Sequence, residues 1–228
     1  SPMRTHGLVL ALSALLLTGC NTLRPLPTVR ESGDRFYSRG QYQQAAAEYK
    51  EYTERKPGEP AVQLMYAKTL LALHDPVPAV EHATIAFDQH PTDEEYIETR
   101  AQALFDAKKT GELDRFLRGQ TSGRGLPADY IRQGRFLAKI GDADGAETSL
   151  KVAAKLDAGR TTAPQLALAD FYRGIGDRAN EVTRLRNALY LDPKDPQIAD
   201  RLRALGEIPG PSLALPPAEL QESPSGQR

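Results

Sequence analysis

Residues 33–57 read GDRFYSRGQYQQAAAEYKEYTERKP. Two short helices with a tight turn between them account for this order. Gly33 and Phe36 fall on one side of the first helix. Gly40 supplies a residue that takes positive φ and ends that helix sharply. From Tyr42 onward, Ala45, Tyr49 and Tyr52 recur at spacings of three or four residues, the stripe of a second amphipathic helix. Pro57 stops it, because proline lacks the backbone donor that a helix interior needs.

The same order returns along the chain. Pro91 follows Pro57 by 34 residues, and Pro193 follows Pro91 by 102, three such steps. Turns at Gly40-Gln41-Tyr42, His74-Asp75-Pro76, Gly141-Asp142-Ala143 and Gly176-Asp177-Arg178 keep nearly that spacing. Small residues follow most of them (Ala45, Ala79, Ala146), with Glu181 the exception. A 34-residue unit of helix, turn and helix is the period of the tetratricopeptide repeat, and the chain resembles that family over five units. Unit one spans about 26–59. Unit two spans about 60–93, with Tyr66, Ala67, Leu70, Ala79, Ala83 and Ala86. Unit three, about 94–126, keeps Ile97, Ala101, Leu104, Leu113 and Leu117 but has TSGRG in place of a closing proline. Unit four spans about 127–160 and unit five about 161–195, and Gln197 to Leu205 is a capping helix.

The residue types fit the geometry that this resemblance implies. Gly33, Ala67, Ala101, Gly134 and Ala169 let the two helices of a unit approach, and Phe36, Leu70, Leu104, Leu137 and Tyr172 fill the space toward the next unit. One helix pair cannot bury its apolar face, so stacking supplies the core. The expected fold class is all-α, a superhelical solenoid of antiparallel helix pairs over residues 29–206.

The ends differ from this body. Read from Met3, which Ser1 and Pro2 precede, the chain begins MRTHGLVLALSALLLTGC, with Arg4 before an apolar run from Leu8 to Leu17. The run is too short to span a bilayer and has the flanks of a secretory signal peptide. Leu17-Thr18-Gly19-Cys20 resembles the lipobox of bacterial lipoproteins, and Cys20 is the only cysteine. That resemblance implies a signal peptide over 1–19, lipid on the Cys20 thiol and membrane attachment through acyl chains. Asn21 after it favours the outer membrane. Residues 20–28 form a tether, and the Pro-, Ser- and Gly-rich residues 207–228 are expected to be a disordered tail, interrupted by Leu213, Leu215 and Leu220.

Composition narrows function further. With 29 basic against 30 acidic residues, the chain has no charge excess suited to nucleic acid. With Cys20 lipidated, no thiol remains for a disulfide or a metal. His74, His82 and His90 are spaced eight apart, a step of about 80° around a helix, so they do not converge on a metal. Phosphate-loop, zinc-protease and nucleophile-elbow motifs are absent from the sequence. Asp93-Glu94-Glu95 reads as helix capping. No cofactor and no enzymatic activity are expected.

What remains is surface recognition. In tetratricopeptide proteins the first helix of each pair lines a concave groove for protein segments. The resemblance places Arg30, Asp34 and Tyr37, then Leu64, Lys68 and Leu71, then Glu98, Gln102 and Phe105 in that groove. Ile131, Arg135 and Lys139, with Leu166, Asp170 and Arg173, complete it. The mixture suits a protein partner better than a small ligand. The chain is similar to small tetratricopeptide lipoproteins that support pilus or secretin assembly, which implies an envelope partner such as a secretin or pilus component. Scaffolds for exopolysaccharide export and adaptors for peptidoglycan hydrolases or proteases share the architecture.

Overall fold

The computed structural model describes residues 23–221. The signal peptide, Cys20 and residues 222–228 lie outside the described residues. Five helix pairs follow one another: α1 (Leu26–Ser38) with α2 (Tyr42–Arg55), α3 (Pro60–Ala72) with α4 (Pro76–Gln89), and α5 (Glu94–Asp106) with α6 (Thr110–Gly123). The series continues with α7 (Pro127–Lys139) and α8 (Ala143–Asp157), then α9 (Ala163–Ile175) and α10 (Arg178–Leu191). The capping helix is α11 (Pro196–Ala204), and a short α12 (Ala218–Gln221) ends the described chain. No strand is present among the described residues.

Local chemistry sets these boundaries. One residue with positive φ sits between the two helices of every pair: Gly40 (71°), His74 (58°), Lys108 (58°), Gly141 (90°) and Gly176 (78°). Lys108 marks the turn of the third pair, which carries no glycine or proline signal. Asp142 and Asp177 accept the Gly145 and Asn180 amides at 2.9 and 3.1 Å, capping α8 and α10. Asp93 caps α5 in the same way, accepting from the Glu95 amide at 2.9 Å. Pro57, Pro91 and Pro193 each stand just past the second helix they close.

The small residues lie where the helices touch. Ala67, Ala101 and Ala169 are fully buried. A Cβ on Gly33 would stand 2.7 Å from the Tyr49 ring, and one on Gly134 would stand 2.6 Å from Leu150 Cγ. The core runs along the stack as one cluster from Val29 to Phe136, a second around Leu150 and Leu168, and a third around Leu185 and Leu202.

The third pair departs from the pattern. Leu113 occupies the site that Ala45, Ala79 and Ala146 hold in other units, and α5 and α6 are packed less closely. The Arg100 guanidinium inserts beside this pair, 4.7 Å from the centroids of both Phe87 and Phe116. Beside Phe136, the one described residue that carries the first core cluster into the fourth pair, charge joins the two pairs. Asp129 has a fully buried side chain and pairs with Arg124 and with Arg132 (3.2 Å), while its other oxygen accepts the Leu126 amide at 3.1 Å. Arg132 reaches across to Glu94 and to Glu98 (3.2 Å), and Arg124 to Glu94 (2.8 Å).

Two boundaries differ from the sequence reading. Leu26 already packs on the core, and Arg24 pairs with Glu51 and with Glu48 (2.9 Å), so helical structure starts inside the expected tether. Residues 207–221, expected to be disordered, instead fold back along α10. Leu213 and Ala214 cover the third core cluster, and Pro217 is buried. Leucines spaced through an extended proline-rich segment suit it to lie on an apolar helix surface.

The histidines stand apart. His74 is in the α3–α4 turn and His90 caps α4 against the Tyr96 ring, at 4.8 Å between centroids. His82 is half-buried beside Tyr66 and lies 2.6 Å from Gln63 Oε1. Because Gln63 uses its Nε2 to donate to Pro57 O at 2.6 Å, its Oε1 accepts and His82 Nδ1 donates. Burial holds the His82 pKa below its ordinary value. The unfolded chain therefore binds this proton first. The contribution of neutral His82 is complete above about pH 6.5 and is lost as pH falls through the lower folded-state pKa. The melting temperature of wild type is expected to decline more steeply below about pH 6.5 than that of His82→Gln, and parallel pH profiles would contradict this.

Candidate functional site

The first helices of the pairs, α1, α3, α5, α7 and α9, lie in series along one face. Neighbours α1 and α3, α3 and α5, and α7 and α9 touch directly. Between α5 and α7 the contact is made by long side chains: Arg135 to Glu98 at 2.6 Å and Lys139 to Gln102 at 3.4 Å.

Two hollows open on this face. The first, about 340 Å³, lies over α1, α3 and α5, with Arg30, Asp34, Leu64, Met65, Glu95 and Tyr96 around it. The second, about 370 Å³, lies between α7 and α9. Its floor is apolar, from Ile131, Leu166, Ala167 and Phe171, and its rim carries Arg135, Lys139 and Asp170.

The charges of the second hollow are unequally satisfied. Arg135 shares Glu98, and Asp170 is held by Arg173 (3.2 Å) and Arg201 (3.0 Å). Lys139 stands over the Phe136 and Phe105 rings at 4.9 and 5.3 Å. Among the described residues it meets no carboxylate, only the Gln102 carbonyl. An apolar floor beneath this rim suits a segment with an apolar side chain next to an acidic one.

The expected groove residues divide accordingly. Ile131, Arg135, Lys139, Leu166 and Asp170 gather in the second hollow and Arg30, Asp34 and Leu64 in the first. Leu64 is nearly buried and contributes wall more than reach. Leu71, Phe105 and Tyr37 are partly buried against the first core cluster; Phe105 lies 5.7 Å from the Phe136 ring and Tyr37 meets Tyr42 edge-on at 5.5 Å. Lys68 pairs with Glu95, and Gln102 donates to Asp106 at 2.8 Å. The middle of the face is thus closed by its own side chains. Met65, Tyr96, Ala138 and Ala167 line the hollows without having stood out in the sequence. Each fills a gap between two helices, which the periodicity of one helix does not rank.

Among the described residues no three histidine, cysteine or carboxylate side chains come together as a metal site, and no helix is long and apolar enough to cross a membrane. Tyr49 donates to Asp34 and Tyr172 to Glu147, each at 2.7 Å. Burial and the facing carboxylate push the Tyr172 phenol up to about 12, so it acts as a fixed donor and not as an acid.

Helix pairs of this length, stacked with a small residue at each crossing and the first helices in series along one face, define a tetratricopeptide-type solenoid. Residues 36–103 match the tetratricopeptide repeat family directly. Solved structures share the fold. A thermophilic TPR protein of Thermus thermophilus is 21% identical, with a TM-score of 0.51 over 79% of this chain and 98% of its own. MamA from Desulfovibrio magneticus is 15% identical, with a TM-score of 0.54 over 75% of this chain and 96% of its own. PilW, described as a widely conserved type IV pilus biogenesis factor, is 12% identical, with a TM-score of 0.55 over 78% of this chain and 82% of its own. No curated protein matches the sequence. Solenoids of this kind offer extended concave surfaces for binding other proteins.

Proposed function

We propose that this chain is a lipid-anchored scaffold of the bacterial envelope, attached through Cys20, that docks a protein segment in its concave face during pilus or secretin biogenesis. The observation that carries the docking role is the α7–α9 hollow, with its apolar floor and the Lys139 cation free of any described carboxylate. The lipobox-like Leu17-Thr18-Gly19-Cys20 supports the anchor. The likeness to PilW supports the choice of pilus biogenesis over other envelope systems. Binding is the whole of the mechanism: the anchor holds the groove near its partner, and the raised local concentration favours assembly.

The test is capture of partners from native envelopes by the lipidated protein, beside an Arg135→Glu, Lys139→Glu variant. Both side chains are exposed at their tips, so the variant is expected to keep its helical signal. It should bind about tenfold or more weakly, since two rim charges are reversed. Loss of pilus or secretin components from the variant is the expected result. Recovery of polysaccharide-export proteins or peptidoglycan hydrolases would replace the function while keeping the groove. Cys20→Ala is expected to release the protein from membranes; retained attachment would end the lipoprotein reading.

A further inference from the structure

The returning C-terminal segment is bound the way a peptide ligand is bound. Its backbone runs beside α10: the Leu215 amide donates to Arg186 O at 3.1 Å, Arg186 Nε donates to Leu213 O at 2.8 Å, and Asn187 Nδ2 donates to Leu215 O at 2.9 Å. Glu219 accepts from Arg184 at 2.9 Å and from Gln165 at 3.4 Å. Leu220 seats on Gly159, where a Cβ would stand 2.6 Å from Leu220 Cγ. Gly159 also has a φ of 69°, so any side chain there would be strained as well as obstructive.

From this the structure assigns a second peptide-binding site, on the edge formed by α9, α10 and the α8–α9 loop. It takes a segment carrying leucine, proline and one glutamate that runs extended and ends in a helical turn, and residues 213–220 are its resident, displaceable occupant. This surface is separate from the concave hollows.

Three features argue for a site and not merely a packed end. Gln165 and Asn187 are 1% and 4% exposed, and among the described residues their amide donors are satisfied only by the segment. With the segment seated these donors are buried, so an occupant lacking acceptors at the two positions would leave them unpaired at a cost. The recognition is also selective. One charge pair fixes Glu219, one hollow over a glycine fixes Leu220, and side chains read the backbone between them. Finally, the segment joins the array through a short run of glycine and proline. Residues 206–212 read GEIPGPS, and Ile208 is 87% exposed. The occupant is held through a linker, so its hold depends on effective concentration, on the order of millimolar for short flexible linkers. A modest intrinsic affinity then suffices to keep the site filled, and a competing segment of the same chemistry can replace it.

The experiment uses the full chain. Glu219→Ala with Leu220→Asp is expected to release the segment, seen as amide exchange at Leu215 about tenfold or more faster than in wild type. A labelled synthetic peptide of residues 211–221 should then bind the variant saturably, and about tenfold or more tighter than it binds wild type, where the resident occupant competes. Adding Arg184→Glu should abolish that binding. Glu219→Gln, which keeps the side-chain shape, is read in parallel and should give the same order with a smaller effect. A peptide that fails to bind once exchange shows the segment released would overturn the proposal. So would an unchanged exchange rate at Leu215 in both variants, because the named side chains would then not hold the segment.

Discussion

Replacing Asp129 by alanine is expected to destabilise the protein by about 3–5 kcal/mol, the range for removing one partner from a buried ion pair. Its carboxylate is fully buried and neutralises two guanidiniums, Arg132 (6% exposed side chain) and Arg124 (17%). Glu94 and Glu98 remain as partners of those guanidiniums but are about half exposed, which places the effect toward the lower end. The variant also loses the acceptor for the Leu126 amide at the start of α7. With a urea slope of about 2–3 kcal/mol/M for a chain of this size, the midpoint should fall by about 1 M. Because the network joins the third pair to the fourth, the transition should also broaden or split, as nearest-neighbour coupling between repeats weakens. Asp129→Asn keeps one acceptor and should lose less. A midpoint within about 0.2 M of wild type would show that the seam is held by something other than these charges.

Gly134→Leu is the second large effect. The two helices of the fourth pair are so close that even a methyl would meet Leu150 Cγ at 2.6 Å, Cδ2 at 2.9 Å and the Ala146 carbonyl at 3.0 Å. Leu150 is 2% exposed and cannot swing away, and the carbonyl belongs to the α8 backbone. Overpacking of this kind costs about 1–3 kcal/mol, occasionally more. At about 2–4 °C per kcal/mol for a chain of this size, the melting temperature should drop by several degrees. Gly174→Ala is the matched control. It lies in α9 with nothing within 4 Å of an added Cβ. It should raise stability by about 0.5–1 kcal/mol through helix propensity alone. Equal effects of the two would mean that close approach is not what selects Gly134.

The stack was legible because its signals are local and repeated. Positive-φ turns at Gly40, Gly141 and Gly176, closing prolines and buried small residues each mark one position in a 34-residue unit, and five units fix the phase. The Lys108 turn was not legible, since a lysine in the left-handed region carries no compositional mark. The charged seam was hidden for a different reason. Arg132 and Glu94 are 38 residues apart, and only the crossing of α5 and α7 brings them together. The serial order of the first helices is legible from the 34-residue period. Which residues stay available was not readable, because Lys68, Gln102 and Phe105 are satisfied by neighbours on the same or other helices. The returning segment 207–221 is not legible, because a proline-rich run has the composition of a linker. Arg184, Arg186 and Asn187, which bind it, lie some 27 to 35 residues earlier.

The most direct measurement of the docking claim is site-specific photo-crosslinking in intact envelopes. The reactive side chain is placed at Ala138, in the α7–α9 hollow, and separately at exposed Lys155 of α8. The account predicts a discrete protein adduct from Ala138 that disappears when Arg135 and Lys139 are both changed to glutamate, and none from Lys155. An adduct from Lys155 alone, or one from Ala138 that survives the charge reversal, would contradict docking in the concave hollow.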